Sequence, residues 1–239
     1  MRAAMMIGTA TALMASAACG REERPGPATT RNYQVAGFER IEVGGPYEVT
    51  VTTGGAPSVR ASGGERAIEQ MIVEVVDGAL RIHTRKRSGM NFGGSRGGPV
   101  QLAVTVPRLS GAEIGGSGSV TVDKVAADSF AAGVAGSGEL RLGQVDVKRF
   151  KAEIAGSGAI NAGKGRADMV EYEIAGSGGI EGGGLVAQVA NVSIAGSGEV
   201  SANATSTASV DIAGSGDVRV TGGAKCTVSK AGSGDVRCS

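Results

Sequence analysis

The tripeptide Gly-Ser-Gly recurs seven times from residue 116 onward, at successive intervals of 20, 20, 20, 20, 18 and 18 residues. The copies are Gly116-Ser117-Gly118, Gly136-Ser137-Gly138, Gly156-Ser157-Gly158, Gly176-Ser177-Gly178, Gly196-Ser197-Gly198, Gly214-Ser215-Gly216 and Gly232-Ser233-Gly234. A short, nearly constant period predicts one supersecondary unit stacked repeatedly on itself. The chain is therefore expected to form a repeat architecture rather than a conventional globular core.

The residues that flank each tripeptide alternate between apolar and polar. Branched apolar residues stand two positions before the first glycine and four positions after it: Ile114, Val134, Ile154, Ile174, Ile194 and Ile212, then Val120, Leu140, Ile160, Ile180, Val200, Val218 and Val236. A period of two with apolar residues on one side indicates half-buried strands. The tripeptide between two such strands is predicted to be a corner, because glycine adopts positive φ at low cost.

A unit of this kind cannot bury its apolar side alone, so neighbouring units must stack. Equivalent strands then pair in parallel, about 4.8 Å apart. We therefore predict an all-β fold, a right-handed parallel β-helix (β-solenoid) with repeats of 18–20 residues, its hand following from the general crossover preference. Because Ile41–Val51 aligns with Ala112–Val122, the predicted count is about eight turns. Two or three strands per turn both fit the weakly periodic return segments.

The chain before residue 108 carries a long insertion. Its pattern predicts a helix at Glu65–Met71, a hairpin of Ile72–Val76 and Leu80–Thr84 around Asp77-Gly78, a loop at Ser88–Pro99 and a strand at Val100–Val106. An Asp-Gly pair between two apolar runs is a strong hairpin signal. We interpret residues 38–107 as an elaborated N-terminal turn that caps the solenoid edge, and residues 108–239 as the regular repeats of the same single domain.

The N-terminus has the pattern of an export signal. Arg2 precedes the mostly apolar stretch Ala3–Met14, which is too short to span a bilayer, and small residues follow. Residues 1–18 are predicted to be a signal peptide, with two interpretations of its cleavage. Ala15-Ser16-Ala17 fits an ordinary signal peptidase, whereas Ser16–Gly20 resembles a bacterial lipobox in which Cys19 is lipidated. Residues 19–37 are charged and rich in Pro, Thr and Gly, and are predicted to be a flexible tether.

The cysteine count fits the lipobox. Three cysteines in an exported chain leave one unpaired. Cys226 and Cys238 lie six residues before and six after Gly232, in columns that point inward, so we predict a disulfide between them. Two reduced core cysteines are the alternative. Cys19 is then the odd cysteine, and a lipid on it anchors the protein to a membrane of the bacterial envelope, with the domain periplasmic or at the surface.

The chain shows no cluster of residues typical of catalysis, and no catalytic, cofactor or metal site is predicted. Its single histidine, His83, is expected on a solvated face, and the corner serines have no base beside them. Zinc sites need clusters of His or Cys, which the sequence does not offer. Glu113, Glu153 and Glu173 share one outward column, but Gly133 interrupts it, so a solvated charged face is favoured over a cation site.

The charge and the aromatic content of the chain argue against two classes of function, nucleic-acid binding and sugar-stacking catalysis. Without Arg2, the 24 basic residues become 23 and equal the 23 acidic ones, so nothing favours nucleic acid. Aromatic residues make up 3% of the chain, which argues against a polysaccharide-active enzyme that stacks sugars.

Several segments together resemble one bacterial family, the auto-transporter adhesin head, GIN domain. They are Phe38–Val43, Tyr47–Val51, Val76–Leu80, Val104–Leu109 and the repeated Ile-Ala-Gly-Ser-Gly, and the resemblance covers Phe38–Cys238. It implies an exported β-helical domain of undetermined biochemical function, often with a lipoprotein-like signal and with no catalytic residues to transfer.

The sequence thus predicts a non-enzymatic, envelope-attached, adhesin-like β-solenoid. It would present a repetitive surface to an envelope macromolecule, either a glycan or a protein, through its outward strand faces or the Ser88–Pro99 loop. Two alternatives stay open: a polysaccharide-active β-helix enzyme, and a purely structural spacer or assembly protein.

Overall fold

The structure, a computed structural model, describes residues 26–85 and 99–239. Within these ranges the strands are β1 (Ala28–Tyr33), β2 (Arg40–Gly44), β3 (Tyr47–Thr53), β4 (Ser58–Gly64), β5 (Met71–Val76), β6 (Ala79–Thr84), β7 (Val100–Val106), β8 (Gly111–Gly116), β9 (Ser119–Gly136), β10 (Glu139–Gly156), β11 (Ala159–Asn161), β12 (Lys164–Gly176), β13 (Gly179–Gly196), β14 (Glu199–Gly214), β15 (Asp217–Thr221), β16 (Lys225–Gly232) and β17 (Val236–Cys238), with one helix, α1 (Glu65–Gln70). The predicted signal peptide, Cys19 and nearly all of the Ser88–Pro99 loop lie outside the described residues.

The predicted β-solenoid is confirmed. Strands of successive turns pair in parallel with equivalent residues side by side, so that Ile154 lies between Val134 and Ile174. The number of turns differs slightly from the prediction, being about six rather than about eight. The prediction counted one turn for each of the seven Gly-Ser-Gly corners and one for the aligned segment Ile41–Val51. The seven corners enclose only six complete turns between them.

Each regular turn has three sides, which the sequence left undecided. In β10 the alternation of buried and exposed residues slips at Gly143-Gln144 and again at Lys148-Arg149, where the chain bends outward. The register between β9 and β10 skips the same two positions. The third bend is the Gly-Ser-Gly corner. The longest side, residues 149–156 in β10 and their equivalents in other turns, is called the broad side below.

Inward side chains fill the interior in continuous columns. Phe130 stacks on Phe150 with ring centroids 6.2 Å apart, and Tyr172 meets Phe150 edge-on at the same distance. All three are almost fully buried. Aromatic pairs at this spacing stabilise a core beyond the area that they bury.

At the N-terminal end, the order of layers differs from the order of the chain. The layer of β2 and β3 lies between the layer of β6 and β7 and the first regular turn: Ile41 pairs with both Leu80 and Ala112. β7 directly precedes the regular repeats in the chain, but it stacks on the outer side of β3, because the chain passes around the first layer before it returns to the stack.

Antiparallel strands lie at this end, and the role of residues 38–107 as a cap stays a prediction. The hairpin of β5 and β6 turns at Asp77 and Gly78, both at positive φ, and is confirmed. On a second side β7 pairs with β4, and β4 with β1. The predicted tether, residues 19–37, contains β1. The sequence did not predict this strand, because Ala28–Tyr33 is polar and shows no alternation of apolar residues. In the described part of the chain no helix could cross a membrane.

The C-terminal end carries the predicted disulfide. Cys226 and Cys238 are joined, with their Cα atoms 6.6 Å apart. Cys226 pairs with Ala208 of β14, and Cys238 pairs with Val220 of β15. The bond therefore links two sides of the last turn across the open end of the interior.

Changing both of these cysteines to alanine should lower the free energy of unfolding by about 3 kcal/mol, the entropy of closing a loop of this length. Urea unfolding of the oxidised protein and of the double variant measures the difference. The wild-type protein kept in reductant is the control and should match the variant. If oxidised and reduced proteins unfold at the same urea concentration, the bond does not stabilise the last turn.

Candidate functional site

The Gly-Ser-Gly tripeptides are placed at corners, and their geometry accounts for both glycines. The first glycine of every copy has a positive φ, from 111° in Gly116 to 139° in Gly232. From the second copy onward, the serine backbone N–H donates to the carbonyl of the first glycine one turn earlier at 2.8–3.0 Å. The serine side chains lie at the surface. These residues hold successive corners together and do not form a site.

A trench crosses the broad side near its N-terminal end, with a cavity volume of about 490 Å³. Its floor is formed by Gly115, Ala131, Gly133 and Ala135, and its walls by Glu42, Arg81, His83 and Glu113 on one side and Lys151 and Glu153 on the other. The outward residues of one strand alternate with its buried residues, so a strand whose outward residues are all small leaves a groove along itself. We refer to this feature as the trench.

Gly133 creates the depth of the trench. It stands in one outward column between Glu113 of β8 and Glu153 of β10. Because β9 lies between those two strands, their backbones are about 10 Å apart. A Cβ atom on Gly133 would lie 3.2 Å from Cγ of Glu113, so even a small side chain would begin to fill the space.

The wall nearer the N-terminus contains one ion pair and one contact between a histidine and a carboxylate. Arg81 Nε donates to Glu42 Oε2 at 2.8 Å. His83 Nε2 lies 3.3 Å from Glu74 Oε1 on the neighbouring strand of the hairpin. His83 is therefore at the rim of the trench with a carboxylate partner, and both pairs remain partly exposed.

On the opposite wall, the ammonium group of Lys151 lies among three carboxylates, of which that of Glu153 lines the trench. Lys151 Nζ lies 2.6 Å from Glu153, 3.6 Å from Glu173 and 3.9 Å from Glu171. The hydrogen bond from Lys151 lowers the pKa of Glu153 and raises the pKa of Lys151. Partial burial, followed by hydrogen bonding to Glu171 and Glu153, raises the pKa of Glu173.

The structure therefore divides the predicted outward column of carboxylates. Glu153 and Glu173 meet around Lys151, whereas Glu113 stands across the trench from them. Among residues 26–85 and 99–239, no group of three or more His, Cys, Asp or Glu side chains is arranged to hold a metal ion. What the arrangement offers chemically is a groove with a floor of small, mostly apolar residues and charged side chains on both walls.

Sequence reasoning did not find the trench. The available signal was the run of small outward residues Ala131, Gly133 and Ala135, beside a strand whose outward residues include Lys151 and Glu153. We noted Gly133 only as a gap in a column of carboxylates. The second wall depends on Glu42 and Arg81, whose placement requires the layer order of the N-terminal end.

The fold and the trench define a class of protein: a three-sided β-solenoid with a groove on its longest side. The sequence model of one family, described as "Putative auto-transporter adhesin, head GIN domain", matches residues 37–224. The chain belongs to that family, as its repeated motifs had indicated.

Solved structures of proteins from Bacteroides and Parabacteroides species have the same fold. A "putative adhesin" from Bacteroides fragilis superimposes with a TM-score of 0.82 at 23% identity, covering 91% of this chain and 100% of that one. A "Putative lipid binding protein" from Parabacteroides distasonis gives 0.72 at 25% identity with the same coverage, and a "putative adhesin" from that species gives 0.69 at 20%, covering 90% and 99%. No curated protein sequence matches the chain.

Proposed function

We propose that this protein is a non-enzymatic, adhesin-like β-solenoid of the cell envelope that binds an extended macromolecule in the trench. Membership of a family described as adhesin heads supports export to the envelope and a role in binding. The lipid on Cys19 remains a prediction from the sequence, and it would hold the domain at a membrane. The trench is the single observation that carries the binding proposal.

The shape and charge of the trench indicate which kind of ligand it would bind. It runs along β9 and is open, which suits a chain-like molecule better than a small compact one. Its walls carry three carboxylates, those of Glu42, Glu113 and Glu153, against the permanent cations Arg81 and Lys151. Among the described residues no Phe, Tyr or Trp lines it, so the walls would supply ionic contacts and the floor would supply contacts with small apolar groups. An envelope glycan or protein that bears amino groups fits these walls best.

Filling the floor of the trench should weaken binding about tenfold, a change of about 1.4 kcal/mol. Gly133→Gln adds an uncharged side chain at the deepest point without a positive φ to oppose it. Gly179→Gln is the matched control, because Gly179 is also an outward strand glycine with open space around it. Binding of neutral, acidic and amine-bearing glycans and of envelope proteins is measured by titration calorimetry on all three proteins.

Absence of any partner at micromolar concentrations would count against the proposal. So would an equal loss of affinity in the Gly133 and Gly179 variants, since the trench would then not be the site. The enzyme alternative predicts instead that some polysaccharide in the panel is cleaved and that cleavage is lost in Glu113→Gln or Glu153→Gln. The spacer alternative predicts neither binding nor cleavage.

A further inference from the structure

The C-terminal end of the described stack leaves two strand edges open. Among the described residues, β16 pairs only with β14, and β17 pairs only with β15. Seven of the eight residues of β16 are exposed, although the equivalent residues of β14 alternate between buried and exposed. At the other end of the molecule the outermost strands, β1 and β5, each pair antiparallel with one neighbour. The two ends of this solenoid therefore differ in how their outermost strands are paired.

Lys230 occupies a core position in this open turn. It pairs with Ile212, and that column of inward residues continues through Ile194, Ile174 and Ile154. Elsewhere each of these isoleucines packs beneath the corner of the next turn: a Cβ on Gly178 would lie 2.6 Å from Cγ2 of Ile154. Among the described residues no further turn stacks on β16, so an isoleucine here would have no corner above it and would face solvent.

A lysine suits this position, because its methylene chain is apolar and only its terminal ammonium group is charged. Its Nζ donates to the carbonyl oxygen of Gly234 at 2.6 Å, which keeps the stem across the open end. The neighbouring inward residue, Val228, is 46% exposed, so the end of the core is only partly covered. The edge therefore combines unpaired backbone groups with exposed apolar surface, the two features that favour association of sheets.

We propose that Lys230 keeps the C-terminal edge from pairing with a second copy of this chain. Two β16 edges can meet antiparallel about a two-fold axis, because an isologous contact needs only a surface that complements itself. If Val228 lies opposite its own copy, the inward columns of both molecules align. Lys230 then lies inside the joined core, where its ammonium group would lose water without gaining a carboxylate. One inward charge is enough to disfavour this pairing.

The test replaces Lys230 with isoleucine, the residue that the preceding turn has at the equivalent position. The mature chain with Lys230→Ile should associate in sedimentation velocity, with an apparent dissociation constant of about 10 µM, whereas the wild-type chain stays monomeric up to about 500 µM. Lys164→Ile is the control, because Lys164 is an exposed lysine in the middle of the solenoid and its replacement adds the same apolar surface away from the edge. Lys230→Val serves the same purpose should the isoleucine variant fold poorly.

Three results would overturn the proposal. The first is a monomer for both Lys230 variants at every concentration. The second is equal association of the Lys164 and Lys230 variants, which would make any added apolar residue sufficient. The third is a wild-type chain that already associates through β16, shown by hydrogen exchange protection of Lys225–Gly232 that increases with concentration. None of these results depends on whether the trench binds a ligand.

Discussion

Gly196→Ala should lower the free energy of unfolding by about 4 kcal/mol or more, which places it among the most damaging single substitutions available. Gly196 has a φ of 134°, a conformation that alanine adopts only with strain. Its added Cβ would also lie 2.2 Å from the carbonyl oxygen of Gly176 in the turn below. That oxygen accepts the hydrogen bond of Ser197 N–H, so the clash cannot be relieved without breaking a contact between turns.

Chemical denaturation followed by circular dichroism measures this loss, and Ser197→Ala is the matched control. The serine side chain lies at the surface of the same corner, so its removal should change stability by less than about 0.5 kcal/mol. Similar losses for the two variants would mean that the corner depends on the serine hydroxyl. A small loss for Gly196→Ala would mean that the turns are not stacked as closely as described.

Gly182→Ala should lower the free energy of unfolding by about 3 kcal/mol for a different reason, because the added methyl group overpacks the core. The Oη atom of Tyr172 would lie 2.2 Å from the new Cβ. Tyr172 is fully buried and its hydroxyl has no hydrogen-bond partner in the structure. Burial raises the pKa of this phenol well above its usual value, so it remains a neutral hydroxyl at all ordinary pH values.

A double-mutant cycle separates the two causes. Tyr172→Phe alone should stabilise the protein by about 1 kcal/mol, because it removes a buried hydroxyl that bonds to nothing. Together with Gly182→Ala it should recover only part of the loss, since Cζ of the ring would still lie 2.6 Å from the alanine Cβ. An interaction energy near zero in thermal and urea unfolding would show that the two residues do not meet across the interior.

The regular part of the fold was predictable because its information is local and repeated. The apolar columns through Ile154 and Leu140 and the corner glycines follow from a period of two and a fixed spacing. The other two bends of each turn were not predictable. Asp123 and Gly143 share one bend, and Asp128 and Lys148 share the other, so neither bend has a constant residue type.

The trench was beyond sequence reasoning for a related reason. Its floor is a local run of small residues, but one wall comes from β2 and β6. Nothing in the sequence says that the layer containing Glu42 lies between β6 and the regular turns. That order results from a chain excursion of some sixty residues, Thr53 to Gly111, and hence from contacts between distant segments. The column that contains Lys230 was readable from the sequence, but its edge position required knowing that β16 pairs only with β14 among the described residues.

The inserted position of the first layer has a consequence for the way the molecule assembles. β2 and β3 precede β6 and β7 in the chain, yet they become an internal layer only after β6 and β7 have covered one of their edges. Once that edge is occupied, new turns can be added at the other edge alone, and each completed turn becomes the template for the next. The order of the layers thus favours growth of the regular turns from the N-terminal side, and the Cys226–Cys238 bond then fixes the turn that carries β16 and β17.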